Sequence, residues 1–370
     1  MAHKIIYCGL ILSLLLLLVP QPVFAEDVRA IKAVHTEPSS IDISENEAAC
    51  ISVEIAHEGL LSACICTLVG KCVRCLKNEI EVKAGIHQIT WDWLDDSGHT
   101  CAQGVYIPIV TIKNSDNREE IYNPTAFPWG HTVFEKDLYY DFERKAIHYR
   151  LDCPVLCRIR IGEWGGGPLY RTLCDWEPRE AGIHDEPWDG MDTRGIITIT
   201  SKKKHYIVLD CFSLPENSII VKGSHTINQE FEEYAANKRD FTLYPPNGKN
   251  IHSHASHLRS SCHELDIVAK IIGPASFDNE VPFVEGMVEI IVDVAGHKDL
   301  IRNNKENLEL YFFMDGQFVY EGSIDEFPEN VTFDSRNYQN GEHVVTINAI
   351  TLTDHIGAYS MKINIDNVNE

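Results

Sequence analysis

Ala84-Gly85-Ile86-His87, Trp91-Asp92, Asp95 and Gly98 form a pattern that this chain repeats 97 residues later. The second copy reads Ala181-Gly182-Ile183-His184, Trp188-Asp189, Asp192 and Gly195. Self-similarity at a fixed offset is typical of a duplicated structural unit. Because a catalytic site needs only one set of residues, whereas a scaffold unit can be copied, the repeat favours an architectural or binding role.

The repeated residues suggest a strand followed by a turn. We expect Trp91 and Trp188 to fill the cores of two sandwiches, where a large aromatic side chain buries about 150–250 Å². The Asp-x-x-Asp-x-x-Gly stretch suits a loop whose carboxylates accept hydrogen bonds from backbone amides. Structural roles are therefore predicted for Trp91, Trp188, Asp92, Asp189, Gly98 and Gly195. The competing interpretation is a calcium site at Asp92, Asp95 and Asp96, since calcium prefers oxygen ligands.

Apolar and polar residues alternate through much of the chain. The alternating runs lie at residues 50–55, 155–161, 196–200, 206–209, 287–294, 308–313 and 343–350. Short runs of this kind, separated by Gly, Asn, Asp and Pro, indicate antiparallel strands in sandwiches. We therefore predict an all-β protein built from β-sandwiches.

Residues 64–106 resemble the immunoglobulin-like domain of FlgD-type flagellar hook-capping proteins. The resemblance rests on Val69-Gly-Lys-Cys-Val-Arg74, the repeated motif and Gly104-Val-Tyr106. The second copy is similar to the same domain as far as Gly195, after which the Gly-Val-Tyr element is missing. The C-terminal part resembles another bacterial Ig-like domain, through Phe313-Met-Asp-Gly-Gln317 and Tyr338-Gln-Asn-Gly-Glu-His343. The resemblance implies three tandem immunoglobulin-like β-sandwich domains and leaves function open, because such modules serve as spacers, binding faces and parts of enzymes.

The first 25 residues have the layout of a cleaved secretory signal. Lys4 precedes an apolar run at residues 5–19, and Val23-Phe24-Ala25 provides a cleavage site. The predicted organisation is a signal peptide at 1–25, FlgD-like domains at 26–124 and 125–224, a His/Cys-containing linker at 225–264 and a bacterial Ig-like domain at 265–370. We expect no integral membrane span after cleavage and a periplasmic, extracellular or cell-surface location.

The charge balance argues against nucleic acid as a partner. The chain has 32 Lys and Arg against 55 Asp and Glu, a formal net charge of −23. Binding to a phosphate backbone relies on clustered cations, and the main basic run is Lys202-Lys203-Lys204. A protein or cell-surface partner is the expectation.

The cysteines fall into two groups and one outlier. The groups are Cys50, Cys64, Cys66, Cys72, Cys75 and Cys101, then Cys153, Cys157, Cys174 and Cys211, while Cys262 stands apart. In an exported protein the first expectation is disulfides within each domain, and six cysteines allow 15 pairings while four allow 3. Cys72-Val-Arg-Cys75 also has the spacing of a zinc or redox pair, but no second such pair follows.

The predicted linker holds the best candidate metal site. Its ligands would be His252, His254, His257, Cys262 and His263. Imidazole and thiolate suit zinc or copper, whereas the alternative is a polar linker with solvated histidines. No other cofactor is expected.

Enzyme signatures are absent from the sequence. It has no Gly-x-Ser-x-Gly, no His-Glu-x-x-His, no phosphate loop and no dinucleotide glycine pattern. The leading hypothesis is a non-catalytic secreted or cell-envelope structural and interaction protein. Alternatives are a metal-binding or redox-associated accessory protein that uses the linker, an adhesin or glycan-binding protein, a flagellar hook-assembly factor and, with the least support, part of an extracellular hydrolase.

Overall fold

The computed structural model describes a chain built from β-strands. It covers residues 29–68, 70–126, 129–224, 241–243, 251–253, 264–272, 275–278, 281–294, 308–324, 328–351 and 355–367. Within these ranges there is no α-helix, and the helical turns are short 3-10 segments at Ile43–Glu45, Pro124–Ala126, Ile199–Ser201 and Ser335–Asn337. The predicted all-β class with Ig-like sandwiches is confirmed.

The first sandwich packs a three-stranded sheet against a six-stranded one. The smaller sheet has the order β1 (Ile31–Glu37), β3 (Ala49–Ile55), β6 (Gly85–Trp91). The larger has the order β2 (Ser40–Asp42), β15 (Ile219–Lys222), β7 (Gly104–Lys113), β4 (Gly59–Thr67), β5 (Cys72–Val82), with β8 (Glu119–Tyr122) also paired to β7. On β3, alternate residues from Ala49 to Ile55 are buried in the core, which produces the period of two seen in the sequence.

Strand β15 departs from the boundary predicted at residue 224. It follows the second sandwich in the chain, yet it pairs antiparallel with β7 and parallel with β2 of the first. Ile219 and Val221 lie in the first core, while Ile220 faces the second sandwich. Because both faces of this four-residue strand are buried, it ties the two sandwiches together.

The second sandwich has two three-stranded sheets. One has the order β13 (Gly182–Pro187), β10 (Ala146–Leu151), β9 (Lys136–Asp141), and the other has the order β12 (Leu169–Arg179), β11 (Val155–Glu163), β14 (His205–Ser213).

The prediction of a strand at residues 196–200 is wrong. Met191 and Thr198 form an isolated bridge, and the 3-10 turn Ile199–Ser201 follows. Asp192 accepts hydrogen bonds from the amides of residues 196 and 197, which bends this segment away from a strand.

The third sandwich occupies the C-terminal part. Its smaller sheet has the order β18 (Ile267–Ile272), β21 (Met287–Val294), β24 (Glu329–Asp334). Its larger sheet has the order β19 (Ala275–Asp278), β20 (Val281–Val284), β26 (Ile356–Ile365), β25 (Gly341–Thr351), β22 (Leu308–Met314), β23 (Gln317–Ile324). A separate hairpin, β16 (Phe241–Leu243) and β17 (Ile251–Ser253), lies in the predicted linker.

Side chains fill both junctions between the sandwiches. At the first junction, the outer face of β4 and β7 contributes Cys64, Cys66 and Ile107, which pack in one apolar cluster with Leu156 and Trp176 of the second sandwich. Trp176 also carries the guanidinium of the buried Arg158 over its ring, at 4.4 Å from the centroid.

The second junction uses hydrogen bonds and a cation–π contact. Asn348 of β25 accepts a hydrogen bond from Leu169 N at 2.8 Å and donates one to Leu169 O at 2.8 Å. Arg194 lies over the ring of Tyr359, 4.4 Å from its centroid, and donates to Ser360 O.

Candidate functional site

The two copies of the repeated motif make matching turns. Trp91 and Trp188 are 0% and 1% exposed. His87 and His184 each place Nε2 within hydrogen-bond distance of a carbonyl four residues earlier, 2.7 Å from Lys83 O and 2.8 Å from Glu180 O. Since these contacts recur at equal offsets, the structure repeats at the level of single hydrogen bonds.

The aspartates of the motif are bound to the backbone of their own turns. Asp92 Oδ1 accepts from Leu94 N at 3.4 Å, and Asp189 Oδ1 accepts from Met191 N at 3.0 Å. Asp95 Oδ1 accepts from the amides of Ser97 and His99 at 2.9 and 2.8 Å. These hydrogen bonds hold the pKa of Asp95 below its usual value. The carboxylates thus form Asx-type turns, the alternative to a calcium site.

The glycines that close the turns have left-handed backbones. Gly98 has φ +80° and Gly195 has φ +69°, a region that side chains rarely adopt. Their amides donate to Asp95 O at 3.0 Å and Asp192 O at 3.1 Å. The motif arginines also converge on the turns, because Arg74 donates to Asp95 O and Arg171 donates to Asp189 Oδ1 at 2.9 Å.

One of the five predicted metal ligands of the linker lies among the described residues. His252 lies on β17 opposite Thr242, whereas His254, His257, Cys262 and His263 lie outside the described residues, as does the proposed signal peptide at 1–25. Among the described residues, no group of three or more His, Cys, Asp or Glu is arranged to hold a metal ion. The zinc or copper site stays a prediction.

The cysteines of the two sandwiches are free thiols in the structure. This is true of all ten described cysteines, so the disulfides expected from the sequence are not formed in it. In the second sandwich Cys157 lies opposite Cys211 across β11 and β14, and the Cys174 thiol donates to Cys157 O at 3.2 Å.

Four thiols of the first sandwich gather on one face of the β4–β5 ladder. Cys64 is directly opposite Cys75, and Cys66 is directly opposite Cys72. The Cys72 thiol lies beside those of Cys64 and Cys66, and their interaction lowers the pKa of Cys72 and, together with burial, raises the pKa of Cys64 and Cys66. Beside them is a cavity of about 190 Å³, lined by Leu60, Ser62, Cys64, Cys75, Asn78, Glu79, Ile109, Thr111, Lys113 and Glu119.

The second sandwich contains a charged hydrogen-bond network that was not predicted from the sequence. Glu186 accepts hydrogen bonds from Arg179 Nε at 2.6 Å and from the Tyr149 hydroxyl at 2.9 Å. Burial raises the pKa of Glu186, but the hydrogen bond and charge of Arg179 outweigh it, so the pKa lies below its ordinary value. Arg179 ends β12 and Glu186 lies on β13, two strands of different sheets that the turn at Gly182 joins. Their separation of seven residues across that turn is the signal that could have identified them.

The outer face of β9, β10 and β13 exposes aromatic and charged side chains together. Tyr139 is 49% exposed and its ring centroid lies 4.8 Å from that of His148. His148 Nδ1 is 2.7 Å from Asp185 Oδ1, and Arg144 is within 3.8 Å of the same carboxylate. Phe142, which is 67% exposed, lies at the end of β9. An aromatic ring beside donors and acceptors is an arrangement that can bind polar ligands with apolar faces.

Comparisons with known proteins extend to the fold alone. No family model matches the chain, and no curated protein matches its sequence. Among solved structures, the fibronectin(III)-like modules of CbhA from Clostridium thermocellum are similar at 9% identity, covering 90% of this chain and 95% of that one with a TM-score of 0.20. A bacterial ice-binding adhesin matches at 11% identity over 91% and 98% with a TM-score of 0.20.

A third similar structure is the central fibronectin-III array of RIM-binding protein, at 11% identity over 92% of this chain and 98% of that one, with a TM-score of 0.20. Scores this low carry no argument about activity or partners, and the Ig-like assignment rests on the strand pairing described above. The described residues also contain no helix long and apolar enough to cross a membrane.

Proposed function

We propose that this chain is a non-catalytic structural and interaction protein, exported through residues 1–25 to the periplasm or cell surface. The observation that carries the proposal is that each sandwich packs against the next one along the chain through specific side chains. Asn348 bonds both backbone groups of Leu169, and Trp176 belongs to the apolar cluster of the first junction. Modules joined in this way hold their outer faces at fixed positions, which suits a spacer or scaffold.

The duplicated FlgD-like motif supports the same proposal. In each copy a carboxylate accepts hydrogen bonds from backbone amides of the loop, and the buried indole N–H donates to a loop carbonyl. The repeated residues therefore stabilise the fold. We also propose domain boundaries at residues 124, 224 and 264. Strand β15 lies before the second of these boundaries in the chain but is part of a sheet of the first sandwich.

Cell fractionation with N-terminal sequencing tests the location. The expected result is a chain beginning at Glu26 in the periplasmic, envelope or extracellular fraction. A cytoplasmic chain that retains residues 1–25 would refute export. Hydrolysis of envelope polymers by the purified chain, abolished by a single carboxylate substitution, would refute the non-catalytic assignment.

A glycan-binding role is the second candidate, favoured by the outer face of β9, β10 and β13. Sugars stack on exposed aromatic rings, and Asp185, His148 and Arg144 supply hydrogen-bonding groups beside Tyr139. The test measures binding of the full chain to immobilised polysaccharides. Tyr139→Ala should weaken binding about tenfold or more, by loss of the stacking contact. Tyr320→Ala is the matched control, because Tyr320 is 47% exposed on the third sandwich.

A further inference from the structure

The four thiols on the β4–β5 ladder lie at different depths. Cys64 and Cys66 are 3% and 0% exposed, because they face the apolar junction with the second sandwich. Cys72 and Cys75, on β5, are half-buried. Strand pairing sets Cys66 against Cys72 and Cys64 against Cys75. Directly opposed residues of antiparallel strands have Cβ atoms about 4.5–5.5 Å apart, close to the separation that a disulfide needs.

The contacts between the thiols form a path from the cavity inward. Cys75 and Cys64 line the cavity and lie opposite each other on the paired strands β5 and β4. Cys66 lies opposite Cys72 on the paired strands, and Cys72 lies close enough to Cys64 for each thiol to shift the pKa of the other. Thus each thiol has another thiol beside it, and Cys66, which is 0% exposed, is not part of the cavity lining.

The cavity is sized for a small molecule. Its volume of about 190 Å³ exceeds the roughly 30 Å³ that one water occupies in the liquid. Lys113 and Glu79 line it with their charged groups 3.9 Å apart, and Ser62 and Thr111 add hydroxyls. A compact polar molecule fits such a lining.

We propose that Cys64, Cys66, Cys72 and Cys75 form a thiol–disulfide exchange site that accepts a low-molecular-weight disulfide in this cavity. Exchange proceeds by attack of a thiolate on a disulfide sulfur through a mixed disulfide. Cys75, as its thiolate, attacks one sulfur of R–S–S–R, whose S–S bond breaks and releases RS⁻, protonated to RSH. Cys64 then gives its proton to the released RS⁻ and attacks the Cys75 sulfur, which forms Cys64–Cys75 and releases the second RS⁻, protonated to RSH.

The inner thiols then receive the disulfide. Deprotonated Cys72 attacks the Cys64 sulfur, giving Cys64–Cys72 and returning Cys75 as a thiol. Attack by Cys66 on Cys72 gives Cys66–Cys72 and frees Cys64. A second R–S–S–R oxidises Cys64 and Cys75 in the same way. Each cycle oxidises two protein thiols, reduces one small disulfide to two thiols and transfers the two thiol protons to the products.

The test uses the full reduced chain and bis(2-hydroxyethyl) disulfide, followed by thiol counting and tryptic mass mapping. Trypsin cuts after Lys71 and Arg74, so Cys72 and Cys75 fall in separate peptides. Both of those peptides should become linked to the peptide of residues 33–71, which contains Cys50, Cys64 and Cys66, and the same links should form in Cys50→Ser. Cys75→Ser should slow the first step about tenfold or more, because Cys64, the other thiol that lines the cavity, is only 3% exposed.

Cys72→Ser should limit uptake to the cavity-side disulfide, with far-UV circular dichroism confirming that each variant is folded. Cys50→Ser is the control, since Cys50 lies on β3 outside the cluster and should leave both rate and uptake unchanged. The proposal fails if Cys75→Ser reacts at the parent rate, or if adducts form at Cys50 or Cys153 instead. It also fails if the chain purifies with stoichiometric zinc that keeps the four thiols unreactive.

Discussion

Trp91 and Trp188 make the same hydrogen bond in two different sandwiches. Trp91 Nε1 donates to Leu94 O at 3.1 Å, and Trp188 Nε1 donates to Met191 O at 2.9 Å. In each case the indole fills the core while its N–H holds the carbonyl three residues later. The motif thereby couples a buried aromatic ring to the turn that follows its strand, which explains why the Trp and the Asp residues are repeated together.

Trp188→Ala should lower the free energy of unfolding by about 3–5 kcal/mol, because it leaves a cavity and removes the hydrogen bond to Met191 O. Urea unfolding followed by circular dichroism measures the change. Trp91→Ala should have an effect of the same order. Trp164→Ala is the control, since Trp164 is 72% exposed and its loss should change stability by less than about 0.5 kcal/mol. A Trp188→Ala effect as small as the control would contradict the coupling of core and turn.

Asp192→Ala should cost about 1–3 kcal/mol of stability, because it leaves buried amides without an acceptor. Asp192 is 2% exposed, and its Oδ1 accepts from Ile196 N at 2.6 Å and Ile197 N at 2.8 Å. Asp116→Ala, in an exposed loop, is the control.

Thermal unfolding of the parent chain should be the same with calcium or with a chelator. A rise in melting temperature with calcium, lost in Asp92→Ala or Asp95→Ala, would restore the metal interpretation for the first turn.

The duplicated turns could be predicted from the sequence because their chemistry is local. A Trp before an Asp-x-x-Asp-x-x-Gly stretch defines a core residue, its acceptors and a left-handed glycine within a few positions. The pairing of strand β15 with the first sandwich could not be predicted in this way. Residues 219–221 are a short apolar run that would suit several sheets, and only the free edge of β7 selects its partner.

The thiol cluster could be predicted only in part. The spacing of Cys64 and Cys66 places both on one face of a strand, and Cys72 and Cys75 were recognised as a pair. Which cysteines oppose each other depends on register shifts within β4 and β5. The shifts fall beside Leu61 and Ala63, which are buried in the core, so the pairing depends on residues that are distant in the sequence.

Asn348→Ala should separate the second and third sandwiches. Asn348 is 4% exposed and satisfies both backbone groups of Leu169, so its loss leaves buried polar groups unpaired, at a cost of about 1–3 kcal/mol. Small-angle scattering should report a larger radius of gyration as the junction loosens. Asn330→Ala, on the exposed side of β24, should leave the scattering profile unchanged. Identical profiles for Asn348→Ala and the parent chain would show that other contacts hold this junction.

The carboxyl of Glu264 should make this protein less stable as the pH rises towards neutrality. Burial and the neighbouring Asp175 raise the pKa of Glu264 from 4.5 to about 7, against the opposing effects of Arg160 and Thr172. The backbone amide of Glu264 also donates a hydrogen bond to Asp175 Oδ2 at 2.7 Å, which anchors the start of the third sandwich on the second.

Because the folded chain binds this proton more tightly than the unfolded chain does, the stabilisation is complete below about pH 4.5 and is lost as the pH rises through about 7. The shift corresponds to at most about 3 kcal/mol. Urea unfolding from pH 5 to pH 8 should therefore show a decline that Glu264→Gln removes, with the variant more stable than the parent at pH 8. Glu289→Gln, on β21, is the control. A parent chain and a Glu264→Gln variant with parallel pH profiles would exclude Glu264 as the titrating group.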